Sequence, residues 1–93
     1  MMAKKMQICE IVNERGFHAR PVALFVQTAS TYESDISVKN LHSGETADGK
    51  SLMSLLILAA PKGTKLEITA SGPDAEAVLQ SLSSMIAGGF DEE

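Results

Sequence analysis

The chain has 93 residues, of which 44% are hydrophobic and 22% charged, and this composition excludes a largely disordered protein. Its formal net charge is −4 and residues 91–93 form an acidic tail, so the rest of the chain is nearly neutral and lacks the basic surface of a nucleic-acid-binding protein. The length suits a single small domain over residues 1–93, and the lone cysteine, Cys9, excludes an internal disulfide.

The sequence contains no segment with the roughly 20 apolar residues of a membrane-spanning helix. Its most hydrophobic stretch, 52–60, contains Ser54 and ends before Pro61. The first six residues carry two lysines, but no long apolar region follows them, so they do not resemble a secretory signal peptide. Because the chain also has a free cysteine, we expect a cytoplasmic protein that does not insert into a membrane.

The first predicted elements are a strand and a helix. Residues 6–12 are rich in β-formers, which predicts a strand with Cys9 in the core and Glu10 on the wetter face. A reactive Cys9 is the alternative, but no motif surrounds it, so we expect a buried and inert thiol. A turn at 13–16 then leads to an amphipathic helix over about 19–32.

Strands predominate in the middle of the chain. Alternating apolar and polar residues predict strands at 35–39 and 64–71. Asparagine, serine and glycine predict a hairpin loop at 40–45, which leads to a short strand at 46–48. The hairpin makes a mostly antiparallel sheet the expected arrangement.

Two further helices complete the prediction. The leucine-rich run behind Ser51 could be a buried strand, but a serine N-cap and Pro61 at its end favour a helix of about two turns. Helical spacing predicts a last helix over 75–86, which Gly88 and Gly89 end. The resulting order, βαββαβα, predicts an α+β open-faced β-sandwich, with a four-stranded, mostly antiparallel sheet covered on one face by three helices.

His18 is the strongest candidate for chemistry because of its neighbours. The only two arginines of the chain, Arg15 and Arg20, flank it, and it stands just before the first predicted helix. A helix start attracts anions through unpaired N–H groups and the positive dipole end, and a guanidinium suits a phosphoryl group. A neutral imidazole is a nucleophile near pH 7, so the pattern predicts a phosphoryl-carrying histidine. The alternative is that His18 only caps the helix while the arginines are solvated.

Ser51 is the second candidate, because it stands at the start of the leucine-rich helix. In one interpretation it is an N-cap with core leucines behind it. In the other it is a phosphorylation site, where nearly two added negative charges would change a docking surface without unfolding the protein. The residues alone leave both interpretations open.

Other kinds of site have little support in the sequence. His42 lies in the predicted hairpin loop and is interpreted as a solvated histidine. Cys9, His18 and His42 lack the spacing of metal ligands, and no glycine-rich loop matches a nucleotide-binding pattern. We therefore expect neither a metal nor a cofactor.

Two motifs identify a family. Residues 16–21 read GFHARP and residues 50–55 read KSLMSL. They resemble the active-site and regulatory-serine motifs of HPr, the histidine phosphocarrier family of the bacterial phosphoenolpyruvate-dependent phosphotransferase system. The two motifs occur in the same order and with the same separation, and the resemblance covers nearly the whole chain. It implies an open-faced β-sandwich and a protein-to-protein phosphoryl carrier rather than an enzyme.

The resemblance implies a role for each matching position. His18 matches the histidine that takes a phosphoryl group on Nδ1 from enzyme I and passes it to a sugar-specific enzyme IIA. Arg20 matches the arginine that neutralises this group, and Ser51 matches the serine that HPr kinase/phosphorylase modifies in organisms that possess it. The expected partner-docking surface comprises Phe17, Leu52, Met53 and Leu56.

Three functions are compatible with these observations. The first is a phosphoryl carrier acting through His18, and the second is a regulatory module acting mainly through Ser51 in carbon or nitrogen control. The third is a small-molecule-sensing or RNA-binding domain of similar topology, which the near-neutral body and scarce aromatic residues disfavour. The presence of His18 together with Arg20 favours the carrier, and we expect a monomer.

Overall fold

The computed structural model describes residues 3–92, so Glu93 of the predicted acidic tail lies outside the described residues. The strands are β1 (Ala3–Glu10), β2 (Asp35–Asn40), β3 (Thr46–Asp48) and β4 (Lys65–Gly72). The helices are α1 (Ala19–Ser30), α2 (Leu52–Leu58) and α3 (Ala75–Ala87), followed by a 3₁₀ turn, here called the tail turn (Gly89–Asp91). This order confirms the βαββαβα prediction.

The four strands form one sheet in the order β1-β4-β2-β3, and all three strand pairs are antiparallel. The predicted hairpin joins β2 to β3. Strand β4 lies between β1 and β2, with Ile68 opposite Gln7 on one side and Val38 on the other. The sheet is therefore held by pairings between distant parts of the chain, and the predicted α+β fold is confirmed.

The helices cover one face of this sheet, as the alternating burial of residues along the strands shows. In β2, Ile36 and Val38 are buried while the residues between them are exposed. Helix α3 packs on β1 and β4, and α2 packs against α1 and β3. The core between sheet and helices includes the fully buried side chains of Ile11, Val22, Phe25, Val38, Leu55, Leu66, Ile68, Val78, Leu82 and Ile86.

In β1, the predicted burial of Cys9 is confirmed, but the strand begins earlier than predicted. Cys9 is buried as predicted, and Ile8 on the opposite face is half exposed. The strand begins at Ala3 rather than at residue 6, because β4 extends to Gly72 and pairs with Ala3 there. The length of β1 thus depends on its partner strand, which no local pattern in residues 3–12 specifies.

The start of α2 is the predicted serine cap. Ser51 has extended backbone angles, and its Oγ accepts a hydrogen bond from the backbone N–H of Ser54 at 3.3 Å. The helix ends at Ala59, which has left-handed backbone angles and precedes Pro61 by two residues. Within residues 3–92, the structure contains no helix with the length and apolar character needed to cross a membrane.

Candidate functional site

The His18 loop, residues 11–18, connects β1 to α1 and is fixed by backbone hydrogen bonds. The N–H of Ile11 donates to Thr64 O at 2.9 Å, and the N–H of Phe17 donates to Ala60 O at 2.8 Å. Gly16 takes a positive φ of 72°, and a β-carbon there would lie 2.8 Å from Ala60 O. The loop is therefore held firmly against the segment that follows α2.

His18 occupies the N-cap position of α1 with extended backbone angles, but its side chain makes no capping hydrogen bond. The residue therefore occupies the N-cap position, but its imidazole does not cap the helix. Its imidazole is 31% exposed and points its Nε2 to the carboxylate of Glu92, with N–O distances of 3.0 and 3.1 Å. The ring is thus oriented by the end of the chain.

Arg20 and Asn13 hold the same carboxylate. Arg20 Nη1 donates to Glu92 Oε2 at 3.2 Å and to the carbonyl oxygen of Phe90 at 2.9 Å. Asn13 Nδ2 donates to Glu92 Oε1 at 3.0 Å and to Gly16 O at 2.8 Å. The structure therefore brings the predicted pair, His18 and Arg20, together around an acidic residue.

Glu92 reaches the site because the tail turn is anchored in the core. The ring of Phe90 is buried and stacks on that of Phe17, with centroids 5.8 Å apart. Phe90 and Asp91 both have left-handed backbone angles, which turn the chain end back towards α1. From the sequence alone, residues 91–93 are recognisable only as a charged tail. The signal that could have indicated their position is Phe90, an aromatic residue that follows two glycines and directly precedes these acids.

The electrostatics of the site assign the proton on His18. The pKa of Glu92 lies below its ordinary value, chiefly because His18 donates a hydrogen bond to it, with Asn13 and Arg20 adding to the effect against burial. Glu92 is therefore ionised near pH 7, and a carboxylate only accepts hydrogen bonds. Nε2 of His18 therefore donates to this carboxylate, and in the neutral form of the ring the lone pair is then on Nδ1.

The surroundings of His18 suit an anion. The first turn of α1 contains no acidic residue, and its leading N–H groups, from Ala19 and Arg20, have no acceptor within the helix. A shallow, open hollow lies beside the histidine and is lined in part by Arg15, Leu56 and Pro61. An anion in this hollow would lie near the side chain of Arg15 and the start of α1, and would remain accessible to another protein.

The predicted docking residues are divided between surface and core. Leu52 is 46% exposed and Met53 69% exposed, and Leu56 lines the hollow beside His18. Ile57, which was not among the predicted docking residues, is 66% exposed on the same helix. Phe17 lines the same hollow but contributes little surface, because its side chain is only 4% exposed and packs edge-on against Phe25.

The remaining candidates lie outside this cluster. Ser51 is half buried, and its Oγ also donates to Ser54 Oγ at 3.0 Å. His42 is exposed in the β2–β3 loop. Among residues 3–92, no group of three or more histidine, cysteine or acidic side chains has an arrangement that could hold a metal ion.

Comparison with known proteins places the chain among phosphocarriers. A family model described as "PTS HPr component phosphorylation site" matches residues 6–88. The chain is 41% identical over 86 residues to the phosphocarrier protein HPr of Neisseria meningitidis, covering 92% of this chain and 94% of that protein. It is 44% identical over 81 residues to the multiphosphoryl transfer protein of Escherichia coli O157:H7, covering 86% of this chain.

The chain spans only about a fifth (22%) of the length of that multiphosphoryl transfer protein. Among solved structures, HPr-C-His from Thermoanaerobacter tengcongensis superposes with a TM-score of 0.89 at 38% identity. That superposition covers 96% of this chain and 98% of the other.

Proposed function

This chain belongs to the HPr family, and we propose from this membership and the site geometry that it is a phosphocarrier whose phosphoryl acceptor is Nδ1 of His18. The donor is phospho-enzyme I, and the acceptor is an enzyme IIA component of the phosphotransferase system. The chain then acts as an intermediate in protein-to-protein transfer and turns over no substrate alone.

The contact between His18 and Glu92 carries the proposal. Because Nε2 donates to the ionised carboxylate, the Nδ1 lone pair is available for attack on phosphorus. A bond forms between Nδ1 and phosphorus while the bond from phosphorus to its atom on enzyme I breaks, and that atom takes the electron pair. The proton on Nε2 stays in place, so the ring carries a positive charge beside Glu92 until the group is passed on.

Arg20 and the start of α1 stabilise the phosphorylated state. Nε2 faces the carboxylate of Glu92, so a phosphoryl group on Nδ1 lies on the other side of the ring from this acid. Arg20 Nη1 donates to Glu92, and the Arg20 side chain is 54% exposed. Moving that guanidinium towards the phosphoryl group would exchange one charge-assisted hydrogen bond for another. The N–H groups of the first turn add to the attraction.

The test is intact-protein mass spectrometry after incubation with phosphoenolpyruvate and purified enzyme I. We expect the wild type to gain one acid-labile phosphoryl group and His18→Ala to gain none. His42→Ala, which removes the exposed loop histidine, is the matched control and should behave as the wild type. Two-dimensional nitrogen–proton spectra of the phosphorylated protein then identify the modified ring nitrogen.

Two outcomes would contradict the proposal. In the first, the wild type gains no phosphoryl group although enzyme I is active on another acceptor. This result would favour a regulatory protein that acts through Ser51. The other is modification of Nε2, which would disprove the role assigned to Glu92.

Regulation through Ser51 is the finer part of the proposal. Ser51 borders the exposed apolar side chains of Leu52 and Met53, and a phosphate on its Oγ would place about two negative charges beside them. Modification by an HPr kinase/phosphorylase would therefore weaken docking of enzyme I without unfolding the chain.

Charge substitutions test this regulation. We expect Ser51→Asp to weaken binding to enzyme I about tenfold, measured by calorimetry, with little change in thermal stability. Ser54→Asp, one turn further along the same helix, is the matched control for added charge. Equal affinity of Ser51→Asp and the wild type would remove the regulatory role.

A further inference from the structure

The outer edge of β1 is open. Among residues 3–92, this strand pairs with β4 alone and forms one end of the sheet. It is eight residues long, with no proline. An uncovered strand edge of this length presents a row of backbone donors and acceptors to another strand. The groove between this edge and α3 is also open, lined by Lys5, Gln7, Gln80 and Ser83 among others.

The outward-facing side chains of β1 are apolar in the middle and charged at the ends. Met6 is 58% exposed and Ile8 is 52% exposed, both on the face of the sheet opposite the helices. Lys4 and Glu10 are exposed on the same face, one towards each end of the strand. In an antiparallel pair of two copies of β1, the Lys4 end of one strand lies beside the Glu10 end of the other.

The backbone directions fix which registers are possible. The N–H of Ile11 donates to Thr64 O, and its carbonyl accepts from Gly63 N, so Ile11 turns its polar groups inward to the β4 side. Because these directions alternate along a strand, Lys4, Met6, Ile8 and Glu10 turn their N–H and C=O groups outward. A symmetric pairing must therefore place these even-numbered residues opposite one another.

We propose that β1 pairs with β1 of a second copy of this chain, antiparallel and with the two-fold axis at Gln7. This register places Lys4 opposite Glu10 of the partner subunit at both ends, and Met6 opposite Ile8 of the partner subunit in the centre. Each of these pairs exchanges two backbone hydrogen bonds. The result is one continuous eight-stranded sheet with complementary charges across the interface.

Other registers lack this complementarity. A shift of two residues places Lys4 opposite Ile8 in one direction and Glu10 opposite Met6 in the other, and both shifts remove the ion pairs. An edge lysine ordinarily discourages strand addition, so Lys4 also selects the register in which it meets an acid. The interface is small compared with a standard protein interface of about 1,600 Å², so the dimer is weak and dissociates on dilution.

Sedimentation of the full chain over a concentration series tests the pairing. We expect the weight-average mass to rise reversibly from 9.9 kDa towards twice that value. Lys4→Glu places like charges opposite each other at both ends of the interface and should raise the dissociation constant about tenfold. Lys5→Glu makes the same change in net charge on the helix side of the sheet and should change it less than about twofold.

Charge exchange provides the decisive control. Glu10→Lys should weaken the dimer as Lys4→Glu does, and an equimolar mixture of the two variants should associate again, because each end of the mixed dimer then has opposite charges. Glu10 also lies opposite Lys65 within the sheet, whereas Lys4 lies opposite Ser71. Thermal unfolding of each variant therefore checks that the fold is intact.

Three results would overturn the proposal. The first is a mass that stays at one chain at every concentration, which would leave the protein a monomer. The second is an equal effect of Lys4→Glu and Lys5→Glu, which would place the contact on another surface. The third is a dimer that fails to dissociate on dilution, which would indicate exchanged strands rather than paired edges.

Discussion

The reactivity proposed for His18 depends on a few polar side chains around Glu92. His18, Arg20 and Asn13 all direct a nitrogen to this carboxylate, and the distances lie between 3.0 and 3.2 Å. In the proposed mechanism, the acid orients the imidazole with Nε2 towards the carboxylate, and its charge stabilises the positive ring of phospho-His18. Each effect can be separated by changing one residue.

Arg20→Ala should slow phosphoryl transfer through His18 by roughly tenfold to a hundredfold, because it removes a charge-assisted hydrogen bond to the transferred group. The domain should remain folded, since the Arg20 side chain is 54% exposed. Rapid-quench kinetics with phospho-enzyme I measure the rate. Lys39→Ala, which removes an exposed positive charge from β2, is the control, and an unchanged rate in Arg20→Ala would refute the role of this residue.

Glu92→Gln should disfavour the phosphorylated state. The amide oxygen still accepts a hydrogen bond from His18, but the negative charge that stabilises the positive ring of phospho-His18 at Nε2 is gone. We expect the equilibrium of phosphoryl exchange with enzyme I to move about fivefold away from phospho-His18. Asp91→Asn removes an equal charge from the adjacent residue and is the control. An equal shift in both variants would show that only net charge matters.

At the scale of elements, the start of α3 is tied to the loop between α1 and β2. The carboxylate of Asp74 accepts hydrogen bonds from the backbone N–H groups of Glu33 and Ser34, both at 2.9 Å, and from the hydroxyl of Ser34. The pKa of Asp74 is lowered, first by the Ser34 hydroxyl and then by the Glu33 N–H. Asp74 occupies the N-cap position of α3, but its side chain makes no capping hydrogen bond there.

The lowered pKa of Asp74 predicts a pH dependence of stability. A carboxyl group with a depressed folded-state pKa stabilises the protein above its ordinary pKa of 3.8, and this contribution is lost as the pH falls through the lower folded-state value. Asp74→Asn should therefore unfold at a lower temperature than the wild type at pH 7, with the difference shrinking in acid. Calorimetry from neutral pH downwards measures both proteins, with Asp35→Asn as the control. A difference independent of pH would contradict this account.

At the scale of the whole molecule, the His18 loop is supported because it packs against the segment that follows α2. Gly16 has a positive φ, and backbone atoms of Ala60 and Pro61 lie 2.8 Å from the position that a β-carbon would occupy there. The proposed docking surface on α2 and the histidine are thereby held in a fixed relation. A change at Gly16 consequently affects both the stability of the fold and the position of the imidazole.

Gly16→Ala should lower the free energy of unfolding by about 1–3 kcal/mol, because it combines backbone strain with a steric clash. Gly44→Ala is the matched control: φ is 82° there, but no heavy atom lies within 4 Å of the added carbon. Denaturant unfolding should therefore show a smaller loss for Gly44→Ala, of about 1 kcal/mol. Equal losses would mean that the close approach at Gly16 contributes nothing.

Much of this molecule could be predicted from local pattern. Alternation of apolar residues located β2 and β4, helical spacing located α1 and α3, and the serine cap located α2. The motif around His18 also pointed to the correct end of α1, because a histidine, an arginine and a helix start lie within a few residues of one another. These features depend on neighbouring residues, so they are present in the sequence before the chain folds.

The remaining features required the three-dimensional arrangement. Glu92 contacts His18, 74 residues away in the sequence, because Phe90 enters the core beneath α1. No periodicity in the sequence links the two ends of the chain. Phe17 is buried for the same reason, since its ring packs between Phe25 and Phe90. The start of β1 depends on β4. Side-chain periodicity encodes which face of an element is apolar, whereas contacts between distant elements depend on how the core packs them together.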